Sequence, residues 1–458
     1  MDGEQVLEQR LELLKAAEEY KKLYEPTLNP LEELRGEEPI TFISVGGGEL
    51  GDLVVTASKR QLGGRSGGVQ TVVFDRYEGC PAQDAADYFE CFDMMNGKLL
   101  QEKIEKYVPD PAKPHVIYME IEKADTRKAC ELGIRRGYRV MSTPYGPLIC
   151  MDRHLTKLLF DALKVPRADW AYARDQEEVN ETVGGMGLPV IVKPIMTSSG
   201  HGTSIVKTYE QLRDVYAYSV KHARGVGDEV IVEKFLQELR ASGTEIMQIV
   251  VRHFDENGKI VTSMAPPVEH QRPAATYHES WLPATISESA TRKCQESARK
   301  IADFIGGLGV YAVEQFVVGD NVYNNEVANR PHDTGMVTRW MLNMDEGAIQ
   351  LHATLGLSIS PFDLTLAKKD VHGVAHVVLA PDNVDEDEVP VQSFKLNDVR
   401  QFIKRRGCEG DIWYFGKLKA YPHRRMGLAI GFDQDIREAR RVAQDIAHHA
   451  ESCINYAL

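Results

Sequence analysis

The stretch Glu326 to Thr338, EVANRPHDTGMVT, read together with Val310 to Val327, VYAVEQFVVGDNVYNNEV, decides how the rest of the chain is understood. The runs Val310 to Val318 and Val322 to Val327 are dense in β-branched and apolar residues. Gly319-Asp320-Asn321 between them tolerates the positive φ of a short hairpin loop. Pairing Val318 with Val322 sets Glu314 directly opposite Glu326. Opposed Cβ atoms in such a ladder stand roughly 5 Å apart, so two ionised carboxylates there repel unless a positive charge lies between them. Mg2+ suits that place, because it is a hard ion held by one or two carboxylates together with substrate phosphates. A solvated hairpin carrying two exposed glutamates is the plain alternative. The residues that follow, Arg330, Pro331, His332, Asp333 and Gly335, favour a rigid polar loop over a generic turn.

The chain has 458 residues, enough for two or three domains on the usual prior of roughly 150 residues each. Charged residues make up 27% and the formal net charge is −14, a field that repels nucleic acid and anionic membranes, so neither is expected as a partner. An anionic small molecule therefore needs a local basic pocket. The seven cysteines are scattered without CxxC spacing, which points to reduced thiols and a cytoplasmic protein. No apolar run reaches the length of a membrane span and no leader pattern opens the chain.

Outward from the hairpin, the chain divides into recognisable segments. Gln5 to Tyr24 spaces Leu7, Leu11, Leu14, Ala17 and Tyr20/Leu23 as one face of a helix that ends at Pro26 and Pro30. Pro39 to Asp52, PITFISVGGGELGD, reads as strand, glycine turn and helix; Val69 to Tyr77 is a second strand ending at Asp75, and Pro114 to Glu122 a third presenting Glu120. That order opens a parallel α/β unit, whose ligands bind at the carboxyl ends of the strands. GGGELG lacks the full dinucleotide fingerprint, and a tight turn needing only backbone freedom explains it equally well. Gly187 to Val206 reads as strand, loop and strand, with Lys193 in the first strand and Ser198, Ser199, Gly200, His201, Gly202 and Thr203 in the loop. The N–H groups of such a loop can close over phosphates while the lysine supplies fixed charge; an edge lysine facing water is the alternative. The Walker A order is absent. Asp228 to Leu236 is a strand leading through Glu233, and Glu245 lies beyond it. Near the C-terminus, Lys417, Arg424 and Arg425 form a compact basic cluster at a turn, suited to a phosphate monoester or else to solvent.

Taken in order, GGGELG, DRYEGCPA, MEIE, IVKPIMTSSGHG, HESW, VEQF, EVANRPHDTGMVT and the FGK…RRMG pair resemble the ATP-grasp enzymes, specifically the formate-dependent phosphoribosylglycinamide formyltransferase family. The resemblance implies an α/β chain with the ATP-grasp fold: an N-terminal parallel α/β domain, a small lid and a C-terminal catalytic domain. The boundaries expected are a helical extension over 1–38, the first domain over 39–150, the ATP-grasp domain over 151–345 with its lid near 165–236, and a closing part over 346–458. Glu49, Leu50, Glu120, Asp333, Lys417, Arg424 and Arg425 match positions that contact glycinamide ribonucleotide. Arg153, Lys193, the loop Ser198 to Thr203, the connector Glu233, Lys234, Phe235 and Leu236, and Glu245 match ATP positions. Glu314 and Glu326 match Mg2+ ligands, and Arg330, Lys193 and Asp333 are the residues expected at the reacting atoms. Formate and the ribonucleotide are the implied small-molecule partners, and the family commonly forms homodimers.

The chain departs from that pattern in places. His201 stands where the family has a lysine, the segment Leu239 to Gly243 carries extra residues, Leu62 to Gly68 adds a glycine-rich turn, and Arg272-Pro273-Ala274-Ala275 replaces acidic and glycine residues. The N-terminal helix is an addition. A related carboxylate–amine ligase or carboxylase serving another aminoribonucleotide, or a specialised nucleoside-pathway amine, is the alternative reading.

Overall fold

Alternation of apolar residues along short strands and a 3.6-residue spacing along the helices divide the chain into four sheets, seen in a computed structural model describing residues 3–31, 38–121, 123–197, 200–223, 227–273, 277–382 and 388–457. Strands β1 (Ile40–Val45), β2 (Val69–Asp75), β3 (Tyr88–Cys91) and β4 (His115–Met119) form a parallel sheet in the order β3-β2-β1-β4. Chain order reverses between β1 and β4, so the crevice at their carboxyl ends is where such a sheet accepts ligands. Glu49, which opens the helix Glu49–Leu62 after β1, and Glu120, just past β4, stand on the two sides of that crevice.

A second, small sheet, antiparallel throughout, occupies the span expected for the lid. Its order is β5-β8-β6-β7, from β5 (Trp170–Ala173), β6 (Val190–Pro194), β7 (Ser204–Val206) and β8 (Val230–Lys234). Lys193 is therefore on an interior strand. The largest sheet runs β14-β13-β9-β11-β12-β15-β19-β17, with β10 paired to β9. Its strands are β9 (Gly243–Phe254), β10 (Ile260–Met264), β11 (Val268–Gln271), β12 (Glu279–Leu282), β13 (Gly309–Val318), β14 (Asn321–Ala328), β15 (His372–Leu379), β17 (Glu409–Tyr414) and β19 (Arg425–Asp433). A three-stranded edge of β16 (Val389–Phe394), β18 (Lys419–Ala420) and β20 (Ile454–Tyr456) completes the C-terminal part. The main core is continuous from the first sheet into the largest one, joining Phe42, Val116 and Tyr118 to Met247, Ile249 and Val310. Closing such a core removes apolar surface at roughly 25 cal/mol per Å2, so these two sheets are held as one body.

The N-terminal helix, Gly3–Tyr24, corrects one detail of the expected stripe. Val6, Leu14 and Ala17 are buried, whereas Leu7, Leu11 and Leu23 face outward. The inward row passes through Arg10, whose guanidinium donates to Asp152 at 3.1 Å and Glu229 at 3.1 Å and lies 2.9 Å from His154 Nδ1. A charged residue interrupts the apolar pattern because its head pairs with two carboxylates beneath the helix. Among the described residues no helix is long and apolar enough to cross a membrane.

Candidate active site

In the β13–β14 hairpin, Glu314 pairs with Glu326 as expected, yet the route differs. The loop is tighter, Gly319-Asp320 alone, with Val318 pairing Asn321. A bulge at Asn325 then inserts one residue and restores the glutamates to opposition. The bulge also turns Asn325 inward: its Oδ1 accepts from Lys193 at 3.1 Å, its backbone oxygen accepts from Lys157 at 3.1 Å, and its Nδ2 lies 3.4 Å from Glu314 Oε2. The two carboxylates share a side of the sheet, because directly opposed residues of an antiparallel pair point to the same face. Arg153 donates to Glu326 at 3.0 Å. Among the described residues no cluster of three or more His, Cys, Asp or Glu is arranged to hold a metal ion.

Toward the lid, Lys193 Nζ lies 3.0 Å from Glu233 Oε2, and Lys157 Nζ 3.1 Å from Glu233 Oε1. Burial would raise the Glu233 carboxyl, but Lys157 and Lys193 outweigh it and bring it down to about 2. Burial pulls Lys157 down to about 8 against the attraction of Glu233. Lys234 points the other way, donating to the carbonyls of Met186 and Gly187 at the end of a lid helix. Phe235 and Leu236 continue from β8 as the connector into the large sheet, with Phe235 N donating to Pro189 O. Glu245 lies on β9 with its carboxyl 3.5 Å from His270, and burial together with Glu314 lifts it to about 7. Gly200 and Gly202 adopt positive φ in the loop between β6 and β7, alongside His201 and Thr203. Ser198 and Ser199 lie outside the described residues.

At the opposite end, Glu49 Oε2 lies 3.0 Å from Lys417 Nζ and Glu49 Oε1 3.1 Å from Arg425 Nη2. Burial would raise Glu49; Lys417 and Arg425 bring it down to about 2. Lys417 itself is lowered to about 8 by burial. Glu120 packs against the glycine turn, where a Cβ on Gly46 would come within 2.1 Å of its Oε2; the backbone there, at φ +117°, is what favours glycine. Asp75 Oδ2 fixes the same turn by accepting from Gly47 N at 2.8 Å. Leu50 is buried in a small cluster with Tyr277 and Met336. Arg424 donates to Lys419 O at 2.7 Å and spans Tyr77 and Tyr421.

The two ends are joined. Arg425 Nη1 donates to Asp333 Oδ2 at 2.7 Å, and Asp333 Oδ1 accepts from Arg272 Nη2 at 2.8 Å. The same Nη2 donates to Glu314 Oε1 at 2.8 Å. Lys417, Glu49, Arg425, Asp333, Arg272 and Glu314 thus alternate in charge from the basic turn to the paired glutamates. Burial works against ionisation of Asp333, yet Arg272, His332 and Arg425 hold it well below the ordinary carboxylate range. Arg330 follows β14, and its Nη1 donates to Pro331 O at 3.3 Å. Glu346, buried and pushed well above its usual range by that burial, accepts from His332 N at 3.1 Å and so seats the loop carrying Asp333.

Lys157, Asn325, Arg272 and Glu346 are the site residues that pattern reading passed over. Lys157 is hidden in a run of buried helix residues, His154 to Phe160, and a bulge leaves no mark in sequence. For Arg272, the departure from the family pattern was the available signal.

Two clamping sheets with opposed carboxylates at their junction define an ATP-grasp protein, and the ATP-grasp domain family matches residues 158–346. The chain belongs to the formate-dependent phosphoribosylglycinamide formyltransferase family. It is similar to the enzyme of that name from Syntrophotalea carbinolica, 34% identical over 407 residues that cover 89% of this chain and 95% of the other. The one from Thermococcus kodakarensis is 35% identical over 417 residues, covering 90% and 91%. Among solved structures, an ADP complex of N5-carboxyaminoimidazole ribonucleotide synthetase superposes with a TM-score of 0.72 at 22% identity, covering 91% of this chain and 99% of that one. Glycinamide-RNase-transformylase T from Mycobacterium tuberculosis gives 0.68 at 21%, covering 90% and 99%. At these identities the structural likeness is one of fold.

Proposed function

We propose that the protein formylates the primary amine of glycinamide ribonucleotide, using formate and ATP. The observation that carries this reading is the unbroken alternation of charge from Lys417 to Glu314, which links an anion-and-amine pocket to the paired glutamates. Three carboxylates, Glu49, Glu120 and Asp333, with Lys417, Arg424 and Arg425 beside them, suit a ligand that carries both an amine and a phosphate.

Formate is a poor electrophile because its oxygens leave badly. One of its oxygens attacks the γ-phosphorus of ATP, the bond from that phosphorus to the β–γ bridging oxygen breaks, and ADP departs. The amine nitrogen then attacks the carbon of the formyl phosphate. The C–O bond to the phosphoryl group breaks, and the amine proton leaves with the phosphate. Lys193, Arg153 and Arg330 supply positive charge along the triphosphate, and the loop residues Gly200 to Thr203 cover it, excluding water from the labile anhydride. Glu233, Lys234, Phe235 and Leu236 form the adenine connector and Glu245 the ribose contact. Asp333 stays ionised, so it orients the amine by accepting its hydrogen rather than storing a proton. The all-oxygen pair Glu314 and Glu326 fits Mg2+, which when bound neutralises the phosphates as charge moves between them.

Initial rates of ADP release with formate, with and without glycinamide ribonucleotide, test the assignment. Turnover that depends on both is expected. Release supported by bicarbonate or another acid in place of formate would move the protein to a different carboxylate–amine ligase reaction. Sedimentation of the purified chain tests the homodimer expected of the family.

A further inference from the structure

The acid must sit between two carboxylates that repel it. Its reacting oxygen meets the γ-phosphorus near Glu314, and its carbon must then be within reach of an amine held by Asp333. This rests on the functional reading above. A small anion there needs a permanent cation, and Lys193, Arg425 and His332 are held by other partners. Lys193 is paired with Glu233 and Asn325. Arg425 spends its two terminal nitrogens on Asp333 and Glu49. His332 contacts Glu314 at 3.3 Å and Asp333 at 3.2 Å, and burial lowers its basicity.

Arg272 differs. It enters at the end of β11, and its Nη2 lies 2.8 Å from both Glu314 Oε1 and Asp333 Oδ1, spanning the gap between the metal-side and amine-side carboxylates. A guanidinium has five N–H donors in a fixed plane. The two on Nη2 serve those carboxylates, while Nε is buried with no hydrogen-bond partner among the described residues. A planar carboxylate laid along the Nε–Nη2 edge takes one bond from this donor and a second from Nη2, where it displaces one of the two resident carboxylates.

We propose that Arg272 is the residue that binds the carboxylate of the small acid substrate and holds its carbon between the transferring phosphate and the amine. It binds the acid first and then the carbonyl oxygen of the acyl phosphate. A lysine at the same place supplies charge but not the paired geometry.

The test uses the full chain with ATP, Mg2+ and glycinamide ribonucleotide, measuring KM for formate and for ATP separately. Arg272→Gln is expected to raise the formate KM at least about thirtyfold, and Arg272→Lys about fivefold or more, with the ATP KM within about twofold of wild type in both. Nitrate, a planar anion of formate's shape, is expected to compete with formate and to raise the melting temperature of the wild type, with both effects weakened in R272K. An unchanged formate KM in R272K, or an ATP KM rising in step with it, overturns the proposal and makes Arg272 a strut between Glu314 and Asp333. Should R272Q not fold, R272K, which retains the charge, decides on the same ratio. A wild type that uses a different small acid overturns the formate reading alone, and the KM for that acid then tests Arg272 by the same criterion. A wild type whose ADP release needs no acid at all overturns both.

Discussion

At the lid, Glu233 takes Lys193 from the adjacent strand and Lys157 from a neighbouring helix; at the other end, Glu49 takes Lys417 and Arg425 from the last part of the chain. Each knot is a buried carboxylate at about 2 beside a buried lysine at about 8. Their construction differs. The lid knot is built on strands and a helix, where alternation and helical phase set which way each side chain faces. The Glu49 knot exists only when the first sheet and the largest sheet dock. The lid knot meets the paired glutamates through the bulge at Asn325, and the Glu49 knot meets them through Asp333 and Arg272.

The heaviest blow falls where the two routes meet. Glu326→Ala is expected to lower ADP formation at least about a thousandfold while the fold persists, because the γ-phosphoryl loses its organised counter-charge; an unchanged rate would remove the metal assignment. Next come the two knots themselves. Arg425→Met leaves Glu49 and Asp333 short of a buried partner, with an expected loss of about 3 kcal/mol on chemical unfolding and a rise of roughly a hundredfold in the ribonucleotide KM. Its ATP KM should stay within about twofold, and parallel rises in both constants would mean the ends are not separable. Glu233→Gln is the mirror experiment: a similar loss of about 3 kcal/mol, with the ATP KM raised and the ribonucleotide KM unmoved.

Proton linkage gives a milder probe. Glu49 and Glu233 both titrate at about 2 in the folded chain against an ordinary 4.5. The unfolded chain therefore binds more protons between those values, so this stabilisation is complete above pH 4.5 and is lost as pH falls toward 2. Acid unfolding curves of E49Q and E233Q should each be shallower than wild type. On the alkaline side Lys417 loses its charge as pH rises through about 8. The ribonucleotide KM should climb there, by up to about tenfold per pH unit, and flatten in Lys417→Arg. If the ATP KM climbs instead, Lys157 is the group being read. The smallest effect expected is for His201→Lys, a lowering of the ATP KM by about two- to threefold from one added charge on an exposed loop, measured by initial rates.

Much of this was legible in the chain. That two adjacent strands carry Glu314 and Glu326 follows from the two β-rich runs, and the strand–glycine turn–helix order at Ile40 to Leu62 follows from local backbone preference. The hairpin shows how far such reading reaches. The pattern predicts a loop one residue too long, and the bulge at Asn325 compensates, so the glutamates face each other for a reason the pattern does not contain. The N-terminal helix shows the same limit, because an inward arginine breaks an apolar stripe that only its partners Asp152 and Glu229 explain.

The residue order by itself determined the classes of element, the two strands that carry the glutamates, and the family to which the motifs belong, because these rest on local backbone sterics and on side-chain period. Tertiary structure alone decided that Arg272 bridges Glu314 to Asp333, that Lys157 is buried beside Glu233, and that residues from both ends of the chain close on Glu49. Those are facts about charges brought together in low dielectric, where the energy of each depends on neighbours distant along the chain.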